Sequence, residues 1–118
     1  MKTPEQIKYE LNQFTGTEHY YRHPCGFNYT DGVRFLAVEC MCYWLTDEVA
    51  SWQLVEKVKQ EEFQVFKLKV NEDRSADLII EDGNKNQIAK QEIKYTDFPL
   101  EEITLWFENG VLYLPSEH

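Results

Sequence analysis

His19, His23 and Cys25 follow one another as His-x-x-x-His-x-Cys, three soft ligands within one short segment. Three such side chains could hold a zinc ion. A closed structural zinc site takes four ligands, usually paired at spacings such as Cys-x-x-Cys, and the one other histidine is His118, the last residue. Cys40 and Cys42 supply no such pair. On a continuous helix, positions i and i+2 point about 200° apart, so the two thiols cannot share a metal. Cys25 beside His23 or His19 resembles a nucleophile and its base, but no third group or oxyanion loop accompanies them. The glycines stand singly at 16, 26, 32, 83 and 110, so no phosphate-cradling loop is present. Glu61-Glu62 and Glu101-Glu102 read as solvated faces or turn flanks rather than acid–base pairs. These residues together predict no catalytic set, no bound metal and no cofactor.

Tyr20, Tyr21, Arg22 and His23 remain, a polar-aromatic segment on a predicted loop. Tyr and Arg are residue types that anchor protein interfaces. The plainer alternative is that the tyrosines plug the core and Arg22 pairs with a nearby acid.

Twenty-one acids against twelve bases give a formal charge of −9. Residues 60–118 account for −7 of it, and no Lys or Arg follows Lys94. Binding to nucleic acid needs a basic surface that releases counterions, so direct nucleic-acid binding is not expected. The acidity serves solubility in the simplest reading, and an acidic face for a basic partner in a sharper one, with Glu101 and Glu102 as its candidates. Three cysteines cannot form a complete disulfide framework. The polar N-terminus is unlike a signal peptide, and no apolar run reaches membrane-spanning length. A cytoplasmic protein with free thiols and no membrane association is therefore expected.

A chain of 118 residues predicts one domain, 1–118. Thr3-Pro4-Glu5-Gln6 has the form of a capped helix start, with Ile7, Leu11 and Phe14 as its apolar stripe, so a helix is predicted near 3–14. The stretch from Tyr20 to Tyr29 is broken by Pro24 and Gly26 and reads as an irregular loop or short hairpin. Asp31 is the predicted N-cap of a long helix near 31–53. Its two apolar stripes, Val33-Leu36-Ala37-Cys40-Trp44 and Phe35-Val38-Cys42-Leu45-Val49-Trp52, predict a central helix covered on both sides. Period-two alternation from Phe63 onward predicts an antiparallel meander of about five strands ending at Leu114. Asn109-Gly110 is its clearest hairpin turn, and Pro115 suits an edge position for the last strand. The fold class is α+β, the long helix buried on one face of the sheet.

The segments FTGTEHYYRHP, YTDGVRFLAVECMCYWL followed by VAS, YTDFPL and FENGVLYLPSEH resemble an uncharacterised bacterial domain family. Its members are small proteins of genomes, plasmids and phages, found in cyanobacteria and proteobacteria. The resemblance spans nearly the whole chain and implies a bacterial or mobile-element origin, but no activity and no functional residues. The chain departs from the family in ending with His118 where a Tyr is usual, and in the cysteines of the long helix. The function expected is a non-catalytic protein–protein interaction module, by analogy a mobile-element or phage inhibitor of a host nucleic-acid enzyme or defence system. The alternative is a small-molecule binder or hydrolase with a site between the 19–31 loop and the long helix, using His19, His23 or Asp31.

Overall fold

The computed structural model describes residues 2–118, a two-layer α+β arrangement in which helices cover one face of a seven-stranded mixed sheet. Helix α1 (Pro4–Leu11) begins as its sequence dictates. Thr3 accepts from the Gln6 amide, the Gln6 side chain accepts from the Thr3 amide, and Pro4 fills a position whose N–H has no partner. Ile7 and Leu11 are buried, while Phe14 lies half-buried beyond the helix end.

The stretch after α1 forms a short hairpin of β1 (Tyr20–Arg22) and β2 (Asn28–Thr30). Helix α2 (Asp31–Glu39) follows at once, and its N-cap is Thr30 rather than Asp31. The Thr30 hydroxyl accepts from the Val33 amide, which places Asp31 in the first turn, where a carboxylate also complements the helix dipole.

The predicted long helix is two helices, α2 and α3 (Tyr43–Trp52). Met41 takes a left-handed conformation at φ 51°. The Met41 amide donates to the Val38 carbonyl at 3.3 Å and the Cys42 amide to the Ala37 carbonyl at 2.9 Å, the paired bonds of a Schellman motif. This break resets the helical phase. Val33, Leu36 and Ala37 face the core on α2, and Leu45, Val49 and Ala50 do so on α3. Val38, on the second predicted stripe, is 52 % exposed, so α2 is covered on one side only.

A short helix, α4 (Glu56–Lys59), leads to β3 (Phe63–Val70), β4 (Ala76–Asp82), β5 (Gln87–Ile93), β6 (Glu102–Glu108) and β7 (Val111–Tyr113). A 3-10 turn, Pro115–Glu117, ends the chain. The strand order is β1-β2-β7-β6-β3-β4-β5, which corrects the five-strand antiparallel meander in three ways. The hairpin adds two strands. β2 runs parallel to β7, with the Asn28 amide donating to the Gly110 carbonyl, so the strand before Pro115 is internal and not an edge. β6 pairs with β3 and not with β5. The returning segment runs past the end of the β3–β4 hairpin, with Phe98 and Leu100 fully buried. Arg74 holds it there, donating to the Thr96 and Phe98 carbonyls at 3.0 and 2.7 Å. Burying Phe98 contributes about 1.5–3 kcal/mol to this route.

The core lies between the helices and one sheet face, where Phe66, Leu68, Leu78, Ile80, Leu105 and Leu112 point. Gln64, 1 % exposed on that face, pairs with Gln53 and donates to the Val58 carbonyl, so a buried amide ties α3 and α4 to β3. Trp52 and Glu48 of α3 are joined to β5 through Gln91.

Candidate functional site

The hairpin disperses the His-x-x-x-His-x-Cys segment. His23 is buried, stacked on Phe27 at 4.5 Å, and both ring nitrogens are engaged. Nδ1 accepts from the Cys25 amide at 3.0 Å, so the neutral ring carries its proton on Nε2, which lies 2.8 Å from Asp47 Oδ1. No lone pair is left on His23 to take a proton from a nucleophile or to bind a metal. His19 is exposed at the open end of the hairpin, 3.7 Å from Asp31. Asp31 in turn accepts from the Glu18 and His19 amides and from the Tyr21 hydroxyl. Partial desolvation pushes its carboxyl up, but these donors together outweigh that and hold it below the usual carboxylate range. Asp31 thus staples the hairpin to α2. Cys25 is exposed on the turn, and among the described residues no three His, Cys, Asp or Glu side chains cluster as metal ligands.

Strand alternation divides the Tyr-Tyr-Arg-His segment between the two sides of the sheet. Tyr21 points to the helical side, stacked with Tyr29 at 5.6 Å, and the Arg34 guanidinium lies 4.6 Å above its ring. Tyr20 and Arg22 point to the opposite side, which no helix covers, and Tyr20 is 61 % exposed there. His23, in the core, belongs to neither surface.

The pairing registers place Tyr20, Thr30, Tyr113, Trp106 and Val65 in one row on this face, where Thr30, Tyr113 and Val65 are themselves buried. Arg22, Asn28, Val111, Glu108 and Phe63 form the next row. The aromatic rings meet edge to face: Phe63 on Trp106 at 5.3 Å and Trp106 on Tyr113 at 6.0 Å, with His118 against both Trp106 and Tyr113. The Tyr113 hydroxyl donates to Glu108, and burial together with that carboxylate pushes the phenol up to about 12. A notch of about 290 Å³ opens beside this group, between Tyr20, Val111, Tyr113 and His118.

Away from the aromatic end the same face is charged. Lys67 pairs with Glu81 at 3.1 Å and Lys90 lies 3.8 Å from Asp77. Glu102 sits at this far end, six residues of β6 from Glu108 and so on the order of 20 Å away. Glu101 and Glu102 are exposed, but they do not form one patch with Tyr20 and Arg22. The sequence reading passed over Phe63, Val65, Trp106 and Tyr113. The signal for Phe63 and Val65 was the odd-numbered side of their strand, apolar at 63 and 65 before it turns to lysine at 67 and 69.

A family model described as a family of unknown function (DUF6876) matches residues 5–118. The chain belongs to this family. Two segments by which the sequence resembles an uncharacterised bacterial family, residues 29–45 and 107–118, meet in this DUF6876 domain where Glu117 accepts from the Gly32 amide. No curated protein matches the chain. Among solved structures, the "Crystal structure of the protein of unknown function from Enterococcus faecalis" is similar at 15 % identity and a TM-score of 0.49. It covers 76 % of this chain and 87 % of that one. No helix among the described residues of the DUF6876 domain is long and apolar enough to cross a membrane.

The structure also joins two DUF6876 residues that helical geometry would separate. Cys40 and Cys42 flank the left-handed Met41, and both enter the same apolar core. The neighbouring Cys42 thiol holds Cys40 below the usual thiol range, while Cys40 and burial push Cys42 far up. The expectation that the pair lies on opposite faces of one helix is corrected: it assumed a helix through position 41.

Proposed function

We propose that this domain is a non-catalytic binding module for another protein, docking through the open face of its sheet. One observation carries the reading: a sheet face without a helical layer that exposes Tyr20, Arg22 and His118 at one end, beside the half-buried Phe63 and Trp106. Tyr, Trp, Phe and Arg are enriched at interface centres, the aromatics because they bury large area at low entropic cost and Arg through its fork of donors. Charge does not carry the proposal. On this face Asp77, Glu81, Glu92, Glu102 and Glu108 stand against Arg22, Lys67, Lys69 and Lys90, which is close to balance. A partner matched to the aromatic end is favoured over a purely basic groove, and inhibition of a nucleic-acid enzyme by acidic mimicry gains no support from this face. Of the ligand-site alternative at His19, His23 or Asp31, His23 is the member least suited to act as a base, since both its nitrogens are engaged.

The test is affinity capture from bacterial lysate with the intact chain, followed by direct binding of the captured protein to variants. Tyr20→Glu and Arg22→Glu should each weaken binding at least tenfold. A Glu101→Lys/Glu102→Lys variant reports whether the footprint reaches the acidic end. Undiminished binding by both Tyr20→Glu and Arg22→Glu would remove this face from the reading.

A further inference from the structure

We propose that Cys40 and Cys42 form a dithiol that a low-molecular-weight disulfide converts reversibly to an intramolecular disulfide, an oxidation site at the joint between α2 and α3. It stands apart from the open sheet face and does not depend on what binds there.

The geometry begins with Met41. A residue at φ 51° cannot continue a right-handed helix, and the two Schellman bonds turn the chain sharply on either side of it. Two Cα steps of about 3.8 Å bent through such a residue leave the flanking Cα atoms on the order of 5–6 Å apart. A disulfide spans roughly 4.4–6.8 Å. Both side chains turn inward from this bend, Cys40 at 6 % and Cys42 at 1 % exposure, and both belong to one apolar cluster.

The two thiols are unequal in a way that suits a stepwise exchange. Cys40 is the C-cap residue and adjoins Met41, 83 % exposed, so a small opening of the turn uncovers it first. Its thiolate is the more readily formed of the two. Cys42 is deeper, its Sγ–H donating to the Leu36 carbonyl at 3.5 Å. The Cys40 thiolate attacks one sulfur of the reagent disulfide, forming a mixed disulfide and expelling one thiolate. Cys42 then gives its proton to that thiolate or to solvent and attacks the Cys40 sulfur, expelling the second reagent thiol. Two protein thiols are oxidised and one reagent disulfide is reduced to two thiols, so atoms and electrons balance. The ring closed is small, and strained disulfides of this kind are readily reduced, which makes the step reversible.

The experiment uses the full chain with Cys25→Ser, which removes the exposed competing thiol. The folded protein is exposed to dithiodipyridine in native buffer. The expected result is release of two thiopyridones per chain, with a product about 2 Da lighter than the starting protein, carrying no adduct and restored by dithiothreitol. Adding Cys42→Ser should instead trap a stable pyridyl adduct on Cys40. Two retained adducts in the Cys25→Ser chain, or no reaction until denaturant is added, would overturn the proposal.

Discussion

The carboxylate of Glu117 caps helix α2, accepting from the Gly32 amide, 85 residues earlier, at 3.1 Å and from the Thr30 hydroxyl at 2.6 Å. A third donor, the Leu114 amide, closes the same carboxylate into the terminal turn. A negative group at a helix N-terminus is favoured by the dipole and by unpaired amides, so one side chain ties the end of the chain to α2.

A side chain at Gly32 would displace the Glu117 carboxylate from its three donors. A Cβ there would stand 2.6 Å from Leu114 Cδ1 and 2.7 Å from Glu117 Oε1. Gly32→Ala should therefore destabilise the domain by about 1–3 kcal/mol despite the better helix propensity of alanine, as read from urea midpoints. Glu117→Gln keeps the shape and weakens the charge, and should cost about 1 kcal/mol. A stabilised Gly32→Ala protein would show that the terminal turn does not hold this position.

Met41 pays for the joint between α2 and α3. A left-handed non-glycine residue costs roughly 1–2 kcal/mol, and the Met41 side chain is too exposed to recover this by packing. Met41→Gly should raise stability by about 0.5–1 kcal/mol, net of the entropy that glycine loses on folding, while Met41→Ala should change it little. Thermal unfolding of the two variants side by side measures the difference.

That joint also marks where the sequence ceased to be legible. The start of α1 was readable because Thr3, Pro4 and Gln6 cap it locally, β3 because Phe66 and Leu68 alternate with Lys67 and Lys69, and β4 because Ala76, Leu78 and Ile80 alternate with Asp77, Ile79 and Glu81. The 40–42 break has no glycine or asparagine to announce it. Burial of Cys42, Leu45 and Val49 outweighs the local cost at Met41, and no propensity contains that term. The pairing of β6 with β3, and of β2 with β7, is equally non-local: buried Phe98 and the Arg74 clasp direct the chain away from its sequence neighbour. The aromatic end of the open face was hidden for the same reason, since Phe63, Trp106 and Tyr113 become neighbours only through those pairings.

Acid should unfold the domain partly through its turns. Hydrogen bonds from Ser75 hold Asp73 low, bonds from Asn86 hold Asp82 low, and the donors around Asp31 hold it low against partial desolvation. A carboxyl with a depressed folded pKa contributes stability that is complete above its unfolded pKa, near 4, and is lost as pH falls through the folded value. Stability should accordingly drop from about pH 5 downward, where the unfolded chain binds more protons. Asp31→Asn should flatten part of that limb in urea midpoints measured across pH 2–6. A limb unchanged in Asp31→Asn would mean that its carboxylate is not held by the hairpin.

Thiol accessibility follows from placement. Cys25 is exposed, and Cys40 and Cys42 are buried at 6 % and 1 %. Iodoacetamide should alkylate Cys25 at least tenfold faster than either of the others in native buffer, with all three equal in denaturant. Peptide mapping over time separates them, and fast native labelling at Cys42 would contradict its position in the core.

The two neighbouring tyrosines of β1 should separate stability from binding. Tyr21 stacks on Tyr29, lies under Arg34 and donates to Asp31 at 3.0 Å, so Tyr21→Ala removes packing and leaves a carboxylate short of a donor. A loss of about 2–4 kcal/mol is expected. Tyr20 has its ring in solvent on the open face, and Tyr20→Ala should change stability by no more than about 0.5 kcal/mol. If the open face binds a partner, the order reverses in a binding assay: Tyr20→Ala weakens association, and Tyr21→Ala affects it only in proportion to unfolding. Calorimetry with a captured partner and denaturation of each variant give both orders. A Tyr20→Ala protein that is destabilised yet binds normally would place that ring in the fold and leave the open face without its anchor.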